Sequence, residues 1–389
     1  MLKSYKHRLY PSDEQKKQMD HHFGCCRMIW NLALQVKTTS WSSARRNVSR
    51  MDLQKQLVEL KVAYPWLYDT NAQSLQSVLL HLEDAFNRFF SGNRYPKFKK
   101  KSGNQSFKCP QGVKVEENIL ILPKIKRVRC EGIKPFEGTV RTVTISRTPT
   151  GKYFASILVE NNIALPHKPT INPEKTIGID VGIKSFVVTS DGRFYEPNRF
   201  LKNSLRRLQC LQRRASRKKK GSNNRKKANL CVAKLHEHIT NQRVDYCHKV
   251  TTGLIRDNQA ETFVIEDLAV VNMLKNRKLS QAMSDVSLGE FFRQMAYKCE
   301  WYGKNLIKIG RFQPSSKTCS ACGHVKQDLT LADREWTCES CCAANDRDLN
   351  AARNIKAFGL EEYSRRGTSG EPVERSAMKG RNETGKTLL

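Results

Sequence analysis

Apolar positions along this chain follow two periods, and the change between them divides it. From Ser12 to about residue 92 they recur at helical intervals: Met19, Phe23, Cys26, Ile29, Trp30 and Leu34, then Leu53, Leu57 and Leu60. Past Tyr64-Pro65-Trp66 the same spacing returns with Leu75, Val78, Leu79, Leu82, Phe86 and Phe89. Ser12 and Gln15 stand at capping-box spacing, so the first helix begins just after Pro11, which ends a short apolar and basic strand, Leu2–Tyr10. From 119 to 160 the runs shorten to strand length, at 119–122, 140–145 and 153–159, with turn residues such as Pro149-Thr150-Gly151 between them. This predicts a β domain that pairs with the N-terminal strand and leaves the helical bundle as an insertion. Further on, 175–182 and 262–267 read as core strands, and Leu201, Leu205, Leu208, Leu211 and Ala215 form a helical stripe.

Charge changes the picture more than composition does. Lys and Arg number 69 against 37 Asp and Glu, a formal net charge of +32. Such an excess repels itself in a compact state unless a polyanion neutralises it, which points to nucleic acid. No apolar run approaches the ~20 residues of a spanning helix, and the polar N-terminus lacks a signal-peptide core. The expectation is a soluble, intracellular protein. Two basic segments stand out. Residues 202–227 carry 12 Lys or Arg and no acid, above the apolar stripe, so Arg206, Arg213, Arg214, Arg217 and Lys218 are candidate phosphate contacts on one basic helix. In the second segment, Arg94, Tyr95, Lys97, Phe98 and Lys99 interleave cations with rings, which suits phosphate tracking with base stacking. A solvated linker would have the same composition.

Metal chemistry is concentrated late in the chain. Cys319 and Cys322 form one C-x-x-C pair and Cys338 and Cys341 another, with fifteen residues between the pairs, the spacing of a zinc ribbon. Cys342 is one residue too far from Cys338 to complete the pair. The remaining cysteines are scattered without a disulfide framework, as in a reducing compartment.

Three acids suggest a second metal site. Asp180 lies in the strand 175–182 between two glycines, Gly178 and Gly182, that share its face and leave room around the carboxylate for a metal and a sugar-phosphate backbone. Glu266 ends a strand that is apolar on both faces, where an unpartnered carboxylate is costly. Asp267 falls on the opposite face and reads as surface. After the ribbon, Asp348 shares a helix face with Ala351, Ala352 and Ile355, whereas Asp346 points away and serves the first helical turn through the dipole. Three such acids can hold two divalent cations about 4 Å apart for phosphodiester hydrolysis. Oxygen ligands favour magnesium or manganese over zinc. The chain contains no G-x-x-x-x-G-K-[ST] loop, which argues against an ATP-driven motor.

Up to about residue 360 the chain resembles TnpB proteins, the transposon-encoded relatives of type V CRISPR effector nucleases. The likeness is carried by Tyr5-Lys6-His7-Arg8-Leu9-Tyr10-Pro11, Gly24-Cys25-Cys26-Arg27 with Trp30-Asn31, and Pro96-Lys97-Phe98-Lys99. It continues through Gly178-Ile179-Asp180-Val181-Gly182, Ile265-Glu266-Asp267-Leu268, Ser316-Lys317-Thr318-Cys319-Ser320-Ala321-Cys322-Gly323 and Asp346-Arg347-Asp348-Leu349-Asn350-Ala351-Ala352. The resemblance implies an α+β multidomain protein: a RuvC-like, RNase H-type core with an inserted zinc ribbon, a wedge-like β-barrel and a helical recognition domain. On this reading residues 1–11 and 93–168 form the wedge, 12–92 the recognition domain, 169–314 the core with its basic helix, 315–344 the ribbon and 345–362 the last core helix. Residues 363–389 would be a disordered tail. Asp180, Glu266 and Asp348 become the magnesium-holding nuclease acids, and the four cysteines hold one zinc.

The function implied is RNA-guided DNA cleavage beside a short flanking motif, with a noncoding transposon RNA and double-stranded DNA as partners. A monomer in the prokaryotic cytoplasm, at the nucleoid when bound to DNA, is the favoured state. A nuclease-dead, RNA-guided repressor on the same fold is the rival. A zinc-ribbon transcription factor would leave the acids unexplained. Two positions depart from the family pattern: Asn345 stands where a His is expected, and Cys342 where a Gly is usual.

Overall fold

The first strand, β1 (Leu2–Tyr10), lies inside a sheet whose other strands follow only after three helices, α1 (Asp13–Ala44), α2 (Arg50–Ala63) and α3 (Ala72–Phe90). The computed structural model describes residues 1–368 apart from 133–135, 277, 278, 312 and 331. Ser12 caps α1 in the expected capping box with Gln15. The returning strands are β2 (Gln105–Cys109), β3 (Lys114–Glu116), β4 (Ile119–Leu122), β5 (Lys126–Glu131), β6 (Thr139–Arg147) and β7 (Tyr153–Glu160). Their order is β2-β6-β7-β1-β5-β4-β3, antiparallel throughout. The helices are therefore an insertion, as the pattern predicted. Among the described residues β2 and β3 each pair on one side only, so the ladder is open between these two edge strands.

Strand β2 was hidden from the sequence by a buried polar residue. Gln105 is 8% exposed in an alternation with Phe107 and Cys109. Its amide donates to the carbonyls of Lys101 and Gly103, each at 2.9 Å, and its oxygen accepts from Arg27 at 3.0 Å. A satisfied glutamine thus takes a core position that a hydropathy pattern reads as polar.

Contact density divides the chain into two units, Met1–Ala164 and a second beginning at Leu165. In the second, β8 (Thr176–Val181), β9 (Val187–Thr189) and β10 (Phe194–Tyr195) run antiparallel in sequence. Helices α4 (Phe200–Ser216) and α5 (Asn223–Arg256) precede β11 (Thr262–Glu266). Next come α6 (Val270–Met273), α7 (Ser280–Val286), α8 (Leu288–Trp301) and β12 (Asn305–Ile309). A small hairpin, β13 (Glu335–Thr337) and β14 (Ala344–Asp346), leads into α9 (Arg347–Thr368). The sheet order is β10-β9-β8-β11-β12, with β8, β11 and β12 parallel. Period-two alternation splits its faces. Ile177, Ile179, Phe263 and Ile265 pack with Val250, Leu254, Phe291 and Met295 of α5 and α8, while Val264 and Ile309 pack with Ile355 of α9.

Two expectations change here. The basic run is a hairpin and not one helix: it leaves α4, turns at Gly221 (φ +87°), and enters α5, with Leu208 packed against Leu235 and Ile239. Asp285 of α7 fastens the hairpin base by accepting from the amides of Leu201 (2.9 Å) and Lys202 (3.0 Å) at the start of α4 and from Arg243 of α5 (3.2 Å). At the other end of the unit, α9 continues to Thr368, where the sequence suggested an end at 362. The rest of the expected disordered tail, 369–389, lies outside the described residues.

Among the glycines of this unit, Gly178 of β8 has the tightest surroundings, set by the backbone of α9. A Cβ added at Gly178 would stand 2.1 Å from the Ala352 carbonyl oxygen and 2.6 Å from the Lys356 nitrogen. Both are backbone atoms that cannot swing away. Gly178→Ala should therefore lift α9 and cost on the order of 3 kcal/mol of unfolding free energy. An unchanged denaturant midpoint would contradict this packing.

Candidate acidic and metal centres

Strand register brings the first two acids together. Ile179 pairs with Ile265 across the parallel β8–β11 ladder, so Asp180 and Glu266 are the next residues on adjacent strands. Helix α9 supplies the third. Asp348 lies one turn ahead of Ala351 and Ala352, which are 1% and 0% exposed, on the face that the sequence assigned inward. The space above Gly178 is thus filled by helix backbone, and the sequence-based assignment of that space to a metal and a sugar-phosphate backbone is corrected.

The electrostatics record this convergence. Burial, then the charge of Glu266, then that of Asp348, push the Asp180 carboxyl up to about 7. Burial also raises Glu266, against a hydrogen bond from Ser315 that lowers it. Asp348 is engaged at both oxygens: Arg334 Nη1 donates to Oδ1 and Ser185 Oγ to Oδ2, each at 3.1 Å. Ser315 Oγ donates to Glu266 Oε1 at 2.5 Å. Sequence reasoning missed Ser185, Ser315 and Arg334, because a lone serine or arginine in a loop carries no periodic signal. Asp267 pairs with Arg311 at 2.7 Å away from the acids, as a surface residue does. Asp346 precedes the first helical residue and accepts from the Leu349 amide at 2.8 Å, so it is the N-cap of α9 and not part of its first turn.

The four sulfurs also converge. Cys319 and Cys341 lie 3.7 Å apart, Cys322 and Cys338 3.6 Å, and all four within 4.8 Å of one another. Zinc–sulfur bonds of about 2.3 Å give a tetrahedral edge of about 3.8 Å, so the set fits zinc. Although burial raises the Cys319 thiol, hydrogen bonds from the Ala321 and Cys322 amides and from the Cys341 and Cys338 thiols together lower it, while the same thiol contacts raise Cys341, so the cluster shares its protons unevenly and favours a thiolate at Cys319. Asn345 points its amide nitrogen at the Cys319 sulfur, 3.7 Å away, a donor role that an imidazole N–H could also serve. Cys342 is exposed and stays outside the cluster, with φ +59°.

The proposed nucleic-acid residues divide in their freedom. Arg206, Arg213, Arg214, Arg217 and Lys218 are exposed on the hairpin, as are Arg94, Lys97 and Phe98 in the first unit. Tyr95 is committed elsewhere: its hydroxyl lies 2.9 Å from Thr38 Oγ1 and its ring meets Phe86 and Phe89 edge-on. Lys99 sits over the Trp30 ring at 3.9 Å. The segment is strapped to α1, where Trp30 donates to the Lys97 carbonyl and Asn31 pairs with the Lys99 backbone, so it is not a free linker.

With this geometry in place, similarity to known proteins becomes specific. A protein of Streptomyces pristinaespiralis named "Putative RNA-guided DNA endonuclease" is 40% identical over 388 residues, covering 98% of this chain and 94% of that protein. The chain belongs to the TnpB family. "Putative RNA-guided DNA endonuclease InsQ" of Escherichia coli K12 is 34% identical over 379 residues, 92% of each chain. Family models match as "Probable transposase" at 156–277, "Cas12f1-like, TNB domain" at 289–355 and "Helix-turn-helix domain" at 1–46. The last name does not describe the fold, since residues 1–46 form β1 and the unbroken helix α1. A solved Cas12f1–sgRNA–target DNA complex aligns over 92% of this chain and 98% of that one, at 17% identity and a TM-score of 0.47.

Two outcomes test these centres. Because the Asp180 pKa is raised in the fold, the contribution of this one group to the stability of the metal-free protein is fully present below its unfolded value near 4 and is lost as pH rises through about 7. Metal-free Asp180→Asn should melt like the wild type at pH 4 and be more stable by on the order of 3 kcal/mol at pH 8. Identical pH profiles would show that the acids do not crowd. In the ribbon, Cys342→Gly should relieve a left-handed residue and raise stability by about 0.5–1 kcal/mol with zinc content unchanged, measured by thermal unfolding and elemental analysis.

Proposed function

We propose that this TnpB-family chain is an RNA-guided DNA endonuclease that hydrolyses phosphodiester bonds at Asp180, Glu266 and Asp348. The observation that carries the reading is the placement of these carboxylates on adjacent parallel strands and the covering helix, close enough that two of them raise the third. The mixed five-stranded order with its covering helix supports an RNase H-type, RuvC-like core. Like charges gathered at partly buried positions are stable only with a cation or a proton, and the all-oxygen set suits magnesium or manganese. When bound there, divalent cations would supply water activation and leaving-oxygen stabilisation. Ser185 and Ser315 orient Asp348 and Glu266, and Arg334 offsets charge at Asp348. The cysteine set would hold a structural zinc.

The names of the relatives support RNA guidance and DNA as the target. The exposed basic hairpin, anchored through Asp285, gives the guide RNA a phosphate-binding ridge. Pairing between guide and target accounts for a large positive charge without a base-reading motif. The origin of the RNA in a transposon, cleavage beside a flanking motif, a monomeric state and a cytoplasmic location belong to the same proposal. Among the described residues no helix is long and apolar enough to cross a membrane. The presence of all three acids favours the nuclease over a nuclease-dead repressor.

The test is to sequence the copurifying RNA and offer the complex plasmids bearing a matched target beside a randomised flank, with magnesium. Asp180→Ala, Glu266→Ala and Asp348→Ala should each abolish cleavage while guided binding persists. Asp346→Ala should still cut, with a stability loss of about 1 kcal/mol from the missing cap. Cleavage that survives replacement of the three acids would overturn the assignment.

A further inference from the structure

We propose that Ser315, four residues ahead of the first zinc cysteine, is a positioning residue that fixes Glu266 for cation binding and ties the acidic site to the folded base of the ribbon. This rests on the nuclease reading above. Ser315 is 5% exposed, and its hydroxyl donates to Glu266 Oε1 at 2.5 Å. Its backbone is held from the other side, because Asn354 Nδ2 donates to the Ser315 carbonyl at 2.7 Å and to the Thr318 carbonyl at 2.6 Å. One turn earlier on α9, Asn350 Nδ2 donates to the same Thr318 carbonyl at 2.7 Å, and its oxygen accepts from the Ser320 amide at 2.8 Å. Both asparagines are buried, at 2% and 4% exposure.

These bonds form one polar ladder. It begins beside Cys319, crosses the turn in which Lys317 and Thr318 donate backbone amides to the Pro314 carbonyl at 3.1 and 3.0 Å, and ends at Glu266. Helix α9 supports the ladder with the same turns that follow Asp348, so the zinc knuckle, the turn and two of the three acids are referenced to one rigid element. A neutral carboxamide is well suited to the two rungs, because it donates and accepts without adding charge beside the carboxylates. A glutamate side chain has three rotatable bonds, and without the Ser315 hydroxyl Glu266 would have to be ordered by the cation at the moment of binding. Groups that orient ligands in this way typically change metal affinity by about 10–100-fold when removed.

The measurement is Mn2+ affinity of the zinc-loaded full chain, read by the electron paramagnetic resonance of free Mn2+. Ser315→Ala should weaken binding about 10-fold, with zinc content and melting midpoint retained, and Ser315→Thr should restore it. In a Glu266→Ala background, Ser315→Ala should add no further loss, since the serine acts through that carboxylate. Wild-type affinity in Ser315→Ala, or a full additional loss in the Glu266→Ala background, would overturn the proposal. If Ser315→Ala loses zinc and Ser315→Thr restores zinc but not Mn2+ affinity, the serine only anchors the ribbon and the proposal falls. Wild-type Mn2+ binding that is indifferent to Asp180→Ala would instead refute the acidic metal site itself.

Discussion

The approach of α9 to β8 over Gly178 is the contact on which the second unit depends. Without a side chain at that position, helix backbone reaches strand backbone, and Ala351, Ala352 and Ile355 become fully buried. Asp348 is carried to Asp180 by that docking, because it projects from the same face one turn earlier. Asn350 and Asn354 then reach the carbonyls of the ribbon's first knuckle from the same helix. One missing methyl group at Gly178 thus bears on the placement of an acid and the seating of a cysteine module that both lie far from it along the chain.

The arrangement has an electrostatic cost that the fold answers locally. Burial and like charge raise Asp180, and the surrounding donors, Ser185, Ser315 and Arg334, act on Asp348 and Glu266. Those donors come from the β8–β9 connection and from the ribbon, so the sheet core alone leaves the acids incompletely supported. The site's own hydrogen bonds only partly offset the crowding, and in the proposed function a divalent cation would offset the rest. On the basic hairpin the opposite problem is solved by exposure: its cations stand in solvent while Leu208, Leu235 and Ile239 hold the helices together.

Much of this was legible in sequence because it depends on local periodicity or spacing. The capping box at Ser12, the cysteine pairs and the helix face of Asp348 follow from period or ligand geometry within a few residues, and the change of period marked off the β strands that return to β1. Buried polar residues broke that logic. Gln105 concealed β2, and Asn345, Asn350 and Asn354 gave no sign that they would work as internal donors, because hydrogen-bond satisfaction is a property of partners distant in sequence.

The sequence by itself therefore determined which residues are candidates for chemistry: four thiols at zinc spacing, three acids near element ends, and a block of cations without an acid. Only the tertiary structure decided how they are used. It filled the space at Gly178 with helix backbone, turned the basic run into a hairpin at Gly221, committed Tyr95 and Lys99 to α1 and α3, and moved Asp346 to a cap. The physical reason is the same in each case. Composition and spacing state what a side chain can do, whereas burial, backbone approach and the partners within hydrogen-bond reach decide what it does, and these come from segments that meet only when the chain has folded.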